Sequence, residues 1–139
     1  MAQVLETVEI NAPPEEVWAV AGNPGRIGDW VPALADSTLE NGYRSCTMQD
    51  GAEIVERIVE RSDEQRYYVY EITKSPLPLR SYSSRLAVHG HGDHSHVTWE
   101  AQFEAESADL EPDLVGAFER IYHEGLITLR DHVEFTAAA

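Results

Sequence analysis

The sequence predicts an α+β fold: one curved antiparallel sheet wrapped around a long C-terminal helix, with two short helices after the first strand. Three observations carry this prediction. Residues 110–133 keep one unbroken amphipathic pattern. Residues 34–105 alternate with a period of two between short turn signals. No helical pattern interrupts that run, so its strands join neighbour to neighbour as a meander.

The first strand spans residues 4–10, with Val4, Val8 and Ile10 on one side and Glu9 on the other. Asn11-Ala12-Pro13-Pro14-Glu15-Glu16 then starts a helix, with proline near its beginning and acids in the first turn. Val17, Trp18 and Val20 are its apolar content, and Gly22-Asn23-Pro24-Gly25 stops it. A second short helical piece carries Ile27, Trp30 and Val31 and ends at Pro32. Two such pieces are too small to cover a sheet, but they can close one end of it.

About six strands follow. Residues 34–39 make a weak one, and residues 43–49 follow the Asn41-Gly42 turn signal. Asp50-Gly51 reads as a two-residue hairpin turn. Residues 53–61 alternate without a break, and residues 66–73 are rich in tyrosine and β-branched side chains. Ser75-Pro76-Leu77-Pro78 interrupts, because two prolines cannot continue a central strand. Residues 80–89 resume with Tyr82, Leu86 and Val88 on one face. A histidine- and glycine-rich turn, 89–96, leads to the last strand at 97–105.

The terminal helix is about 35 Å long at about 1.5 Å per residue. Leu114, Phe118, Tyr122, Leu126, Leu129 and Val133 recur at steps of three and four on its oily face. Ile127 falls on the polar side, among His123, Glu124, Arg130, Asp131 and His132. Asp109 is the expected N-cap, and Pro112 fits the first turn. Gly125 costs about 1 kcal/mol in mid-helix, so either a close backbone contact or a space beside the helix is expected there. The tail 137–139 is expected to fray.

At 139 residues, 42% apolar and 25% charged, the chain is expected to form one domain, 1–139. A net charge of −15 with one lysine, Lys74, argues against nucleic acid and anionic lipid surfaces as partners. The lone cysteine, Cys46, excludes an internal disulfide. With no signal-like N-terminus and no apolar run near about 18 residues, the expectation is a cytoplasmic protein without stable membrane insertion. Either a monomer or a homodimer fits.

Strand parity then selects an inner face: Cys46, Met48, Ile54, Ile58, Tyr68, Tyr70, Ile72, Tyr82, Leu86, Val88, Val97, Trp99 and Phe103. The same parity brings in Arg44 and Glu56. A register centred on Asp50-Gly51 sets Arg44 opposite Arg57, so a bulge or diagonal contact is needed to bring it to Glu56. Such a pair is costly to bury without further hydrogen bonds, which Tyr70, Tyr82 and Ser84 can supply. The alternative is that both charges lie at the sheet edge, facing water. For Tyr68, Tyr70, Tyr82, Trp99 and Phe103, core filling is the commoner role and pocket lining the functional one.

Other chemistry is sparse. His89, His91, His94 and His96 with Asp93 lack the usual zinc spacings and sit on a glycine turn, so no metal site is expected there. Cys46 reads as a small buried hydrophobe, and His123 and His132 as solvated. No nucleophile elbow, phosphate loop or dinucleotide fingerprint occurs, and no cofactor is expected.

Several segments together carry a resemblance: Asn11 to Trp18 after the first strand, Asp29-Trp30-Val31-Pro32, Asp50-Gly51 before Glu56-Arg57, and Tyr70-Glu71-Ile72. Pro76-Leu77-Pro78 with Tyr82, Val97-Thr98-Trp99 and Tyr122-His123-Glu124-Gly125-Leu126 complete it. In this order the sequence resembles the START-like helix-grip superfamily (SRPBCC), in its polyketide cyclase/dehydrase branch. The resemblance implies a seven-stranded antiparallel sheet gripping the last helix over a cavity. It does not imply one activity.

Two functions are therefore expected of one cavity. In the first, it binds a hydrophobic or aromatic small molecule, lipid- or polyketide-like, through Arg44, Glu56, Tyr68, Tyr70, Tyr82, Ser84, Trp99, Phe103, Phe118 and Tyr122. The alternative is a cyclase or dehydratase, with Glu56 as general acid or base and Arg44 stabilising an enolate. A third possibility is an interaction module that uses its sheet edge or acidic face.

Overall fold

Period-two alternation builds one sheet of seven antiparallel strands in the computed structural model, which describes residues 1–138 and their side chains through residue 136. β1 (Ala2–Ile10) is followed by α1 (Pro14–Ala21) and a short 3-10 helix, Pro24–Asp29. Then come β2 (Leu34–Glu40), β3 (Tyr43–Met48), β4 (Glu53–Ser62), β5 (Tyr67–Lys74), β6 (Leu79–His91), β7 (His94–Ala105) and α2 (Glu111–Ala138). The strand order is β1-β7-β6-β5-β4-β3-β2, so the meander runs from β2 to β7 and β1 closes on β7. α2 lies across the concave face and packs chiefly on β1. This is the helix-grip arrangement, with β1 and β2 as its two edges.

The inner set predicted from parity faces inward. Cys46, Tyr68, Tyr70, Tyr82, Leu86, Val88, Val97, Trp99 and Phe103 are buried, and Ile54, Ile58 and Ile72 pack against the core from its margin. The weak stretch 34–39 is a true edge strand, β2, paired with β3.

Several local expectations need correction. The Asp50-Gly51 hairpin is a three-residue loop, with Met48 bonded to Ala52 and Gly51 at φ 89°. The left-handed glycine adds one residue to the turn and shifts the pairing, so Arg44 faces Glu56 directly, not Arg57. The alternation of β4 does break: the register skips Val59 between the Ile58–Tyr70 and Glu60–Val69 pairs. The second short helical piece is a 3-10 turn that ends before Trp30.

The histidine-rich turn is not a loop. β6 and β7 run on through it to a tight turn with Gly92 at φ 69°, and His89 and His91 pair across the strands with His96 and His94. Asp109 does not cap α2. It sits in a 3-10 turn, Ala108–Leu110, that runs into the helix, and its carboxylate accepts from Ser107 Oγ at 2.7 Å. Ile127 is half-buried and packs against the core, because the apolar stripe is wider than its central positions suggest. Of the tail expected to fray, α2 includes residues up to Ala138, and Ala139 lies outside the described residues. At Gly125 the close approach is the correct alternative: a Cβ would lie 3.1 Å from Trp99 and 3.3 Å from Val31.

None of the described helices is long and apolar enough to cross a membrane.

Candidate functional site

β3 and β4 place Arg44 and Glu56 opposite one another on the concave face. Arg44 Nε donates to Glu56 Oε1 at 2.6 Å, and Arg44 is fully buried. Nη1 donates to the Pro24 carbonyl at 3.1 Å and to Tyr68 OH at 2.9 Å. The guanidinium carbon stands 4.4 Å from the Tyr70 ring centre, and a desolvated cation over such a face gains about 2 kcal/mol. Cys46 Sγ lies 3.6 Å from Glu56 Oε1 as a weak donor. These contacts offset a desolvation penalty of several kcal/mol per ion. One donor is left over: Arg44 Nη2 is buried and has no partner in the protein.

Burial and charge set the protonation of this group together. Burial alone would lower Arg44, but Glu56 and the neighbouring tyrosine oxygens outweigh it and hold the guanidinium well above its ordinary value. Burial, then the Glu56 carboxylate, pushes the Cys46 thiol up to about 12. Burial likewise pushes Tyr68 and Tyr70 up to about 12, and Tyr82 well above its ordinary value. The hydroxyls and the thiol therefore stay neutral at physiological pH.

A second polar cluster lies beside the first. Trp99 Nε1 donates to Tyr70 OH at 3.2 Å and to Ser84 Oγ at 3.1 Å. Ser84 gives its own proton to the Glu100 carbonyl, so Tyr122 OH is the donor in its 3.1 Å contact with Ser84 Oγ. The Trp99 and Tyr122 rings stack at 3.9 Å and 4°. Gly125 makes room for that stack.

Between the sheet and the first half of α2 is a cavity of about 180 Å³. Arg44, Glu56, Tyr70, Tyr82 and Trp99 line it from the strands, and Phe118 and Tyr122 from the helix. Three of the expected residues do not reach it. Tyr68 stands behind Arg44 and bonds its guanidinium. Ser84 is occupied by Trp99, Tyr122 and a backbone carbonyl. Phe103 packs edge-on to Phe118 at 5.2 Å, as core.

Sequence reasoning missed the rest of the wall. Ile27, Val31 and Leu34 contribute from the segment after α1, Asp50 and Ala52 from the hairpin tip, and Pro76 and Leu77 from the β5–β6 loop. These residues have no periodicity, so parity cannot assign them a face. The proline pair is the one available signal, because a segment barred from the sheet must pass over its end.

Among the described residues, no group of three or more His, Cys, Asp or Glu is placed to hold a metal ion. His123 and His132 are exposed, with His123 Nδ1 3.5 Å from Glu6.

The family comparisons agree with this fold. The family described as polyketide cyclase / dehydrase and lipid transport matches residues 1–134. XoxI from Bacillus cereus is 31% identical, with 96% of each chain covered and a TM-score of 0.89. An uncharacterised protein from Bacillus thuringiensis is 30% identical over 95% of this chain and 98% of its own, with a TM-score of 0.85. The Zhui aromatase/cyclase from Streptomyces sp. R1128 has a TM-score of 0.81 over 96% of this chain and 93% of its own, but at 15% identity that likeness shows the fold alone. No curated protein matches the sequence. Matched over nearly its whole length, and folded as one sheet gripping its terminal helix, the chain belongs to the polyketide cyclase/dehydrase and lipid-transport family.

Proposed function

We propose that the chain binds a hydrophobic or aromatic small molecule in the cavity between the sheet and α2. The observation that carries this reading is the cavity of about 180 Å³ itself, walled mostly by apolar and aromatic side chains with Arg44 and Glu56 among them. Polar groups already held by hydrogen bonds within the protein leave a preformed space that a ligand can enter without reorganising them. The ring faces of Tyr70, Tyr82 and Phe118 offer a flat body large contact area, and the neutral tyrosine hydroxyls offer it donors.

The enzymatic alternative, cyclisation or dehydration, uses the same floor. It requires Glu56 to move a proton while its Oε1 accepts from Arg44 at 2.6 Å. That contact favours a carboxylate that anchors the arginine over one that acts as base, and binding is the preferred reading.

An uncharged environment-sensitive dye tests it, with Ala117→Trp filling the cavity from α2. Wild type should bind the dye, and the variant should lose affinity by about tenfold or more, worth about 1.4 kcal/mol. Dye affinity that ignores the variant contradicts the reading. Once a substrate is in hand, Glu56→Gln separates the two functions. A carrier keeps most of its affinity, whereas an acid–base enzyme loses turnover by about 10²–10⁴.

A further inference from the structure

Four histidines gather on the side of the sheet that faces away from the cavity. His89 and His91 in β6 pair with His96 and His94 in β7, so all four share one face of the ribbon. Their neighbours Val88 and Val97 are buried in the core, which puts the histidines on the convex side. A mobile glycine turn would give ligands no fixed frame, but a ladder of paired strands does. Directly opposite side chains start about 4.5–5.5 Å apart at Cβ, and the His89 and His96 ring centres stand at 6.3 Å. One ion bonded to both rings at about 2.0–2.1 Å holds their centres roughly 5–6 Å apart, so a small turn of two side chains closes the chelate. His89 is exposed and His96 half-buried, so both are within reach of an ion from solvent.

A third strand fixes the ring that matters most. Glu9 in β1 lies opposite His96, and its Oε1 accepts a hydrogen bond from His96 Nδ1. A carboxylate acceptor keeps the proton on Nδ1, which leaves the Nε2 lone pair free for a metal. His91 is diagonal to His96, at 6.4 Å between ring centres, and His94 turns to Asp93 at 3.6 Å.

We propose that His89 and His96 chelate one divalent ion of the zinc, nickel or copper class, with Glu9 as the positioning residue. Imidazole nitrogen selects this class over magnesium and calcium, which take oxygen ligands. Among the described residues no third protein ligand is placed to join the pair, so water completes the coordination shell. The net charge of −15 raises the local concentration of cations at the surface. The bound ion ties β6 to β7 and, through Glu9, to the edge strand β1.

Calorimetric titration of the tag-free protein with Ni²⁺ tests this. Wild type should bind one ion per chain, and saturating Ni²⁺ should raise its denaturant midpoint. His89→Asn and His96→Asn should each weaken binding by about tenfold or more and abolish the rise in midpoint. His94→Asn, on the same ribbon, should leave the affinity unchanged. Glu9→Ala should weaken binding by about tenfold, and Glu9→Gln, whose amide oxygen still accepts from Nδ1, should recover most of that loss.

Wild type that takes up no Ni²⁺ at about 1 mM overturns the proposal. Equal losses in His94→Asn and His96→Asn also overturn it, because they would mean diffuse binding along the ribbon. Glu9→Gln behaving like Glu9→Ala overturns the positioning role of Glu9. Because all these positions lie away from the cavity, none of these results bears on ligand binding there.

Discussion

The two ends of the same sheet–helix sandwich are built on opposite plans. At one end, Leu126, Leu129 and Val133 of α2 join Ile10, Val17 and Leu86 in a buried core of mostly aliphatic side chains. At the other, Leu114, Phe118 and Ile121 of the same helix face a cavity floored by an ion pair. The helix offers an oily stripe to both. What differs is the opposing strand. Aliphatic side chains interdigitate to close packing. Arg44, Glu56 and the tyrosines are fixed by directed hydrogen bonds, so they cannot slide to fill the space beside them. The Trp99–Tyr122 stack stands between the two regimes, bonded to Ser84 on one side and bordering the cavity on the other.

The largest expected effect sharpens the polar end. Arg44→Met leaves Glu56 buried without its partner and should destabilise the fold by about 3–5 kcal/mol. Adding Glu56→Met should recover most of that loss. Denaturant midpoints of the two variants check it. A double variant no more stable than the single one breaks the contrast.

Next in size is truncation of the helix at each end. Leu129→Ala, at a fully buried position, should cost about 3 kcal/mol and leave probe affinity unchanged. Ile121→Ala, half-buried beside free space, should cost about 1 kcal/mol and weaken probe binding. Equal losses in stability at the two positions would mean that the two ends pack alike.

An effect smaller than that of Leu129→Ala is alkaline. Cys46 titrates at about 12 in the fold, against 9.0 for a free thiol. A raised folded value means stability is fully present below pH 9 and is lost as pH rises toward 12. Between pH 9 and 11 the thiol should withdraw on the order of 2 kcal/mol. Cys46→Ala should flatten that part of the stability profile. Tyr68 and Tyr70 add a further decline above pH 10 by the same sign.

Much of this contrast is legible in the sequence, for physical reasons that also mark where legibility stops. Side chains of a strand must alternate, so parity alone sets Arg44, Glu56, Tyr70, Tyr82 and Trp99 on one face. The amphipathic stripe likewise sets Phe118 and Tyr122 against them. Register is a different matter. Gly51 in a left-handed conformation turns an apparent two-residue loop into a three-residue one, and the resulting shift decides whether Arg44 meets Arg57 or Glu56. The skipped Val59 leaves no mark in a run of alternating residues. Parity also cannot tell a side chain that borders a cavity from one just behind it. Tyr68 and Ser84 share the inner face with Tyr70 and Tyr82, yet their polar groups are used up inside the wall. The cavity's mouth, from Asp50, Pro76 and Leu77, comes from turns that carry no period at all.

The central claim is that the floor formed by Arg44 and Glu56 receives a guest. The most direct measurement is the Arg44 Nε–H resonance in the nitrogen–proton spectrum, followed during titration with acetylnaphthalene. The account predicts that this signal shifts saturably, together with those of Phe118 and Ile121, while Leu129 and Val133 stay still. Shifts confined to exposed residues, with Arg44 unmoved at saturation, would contradict it.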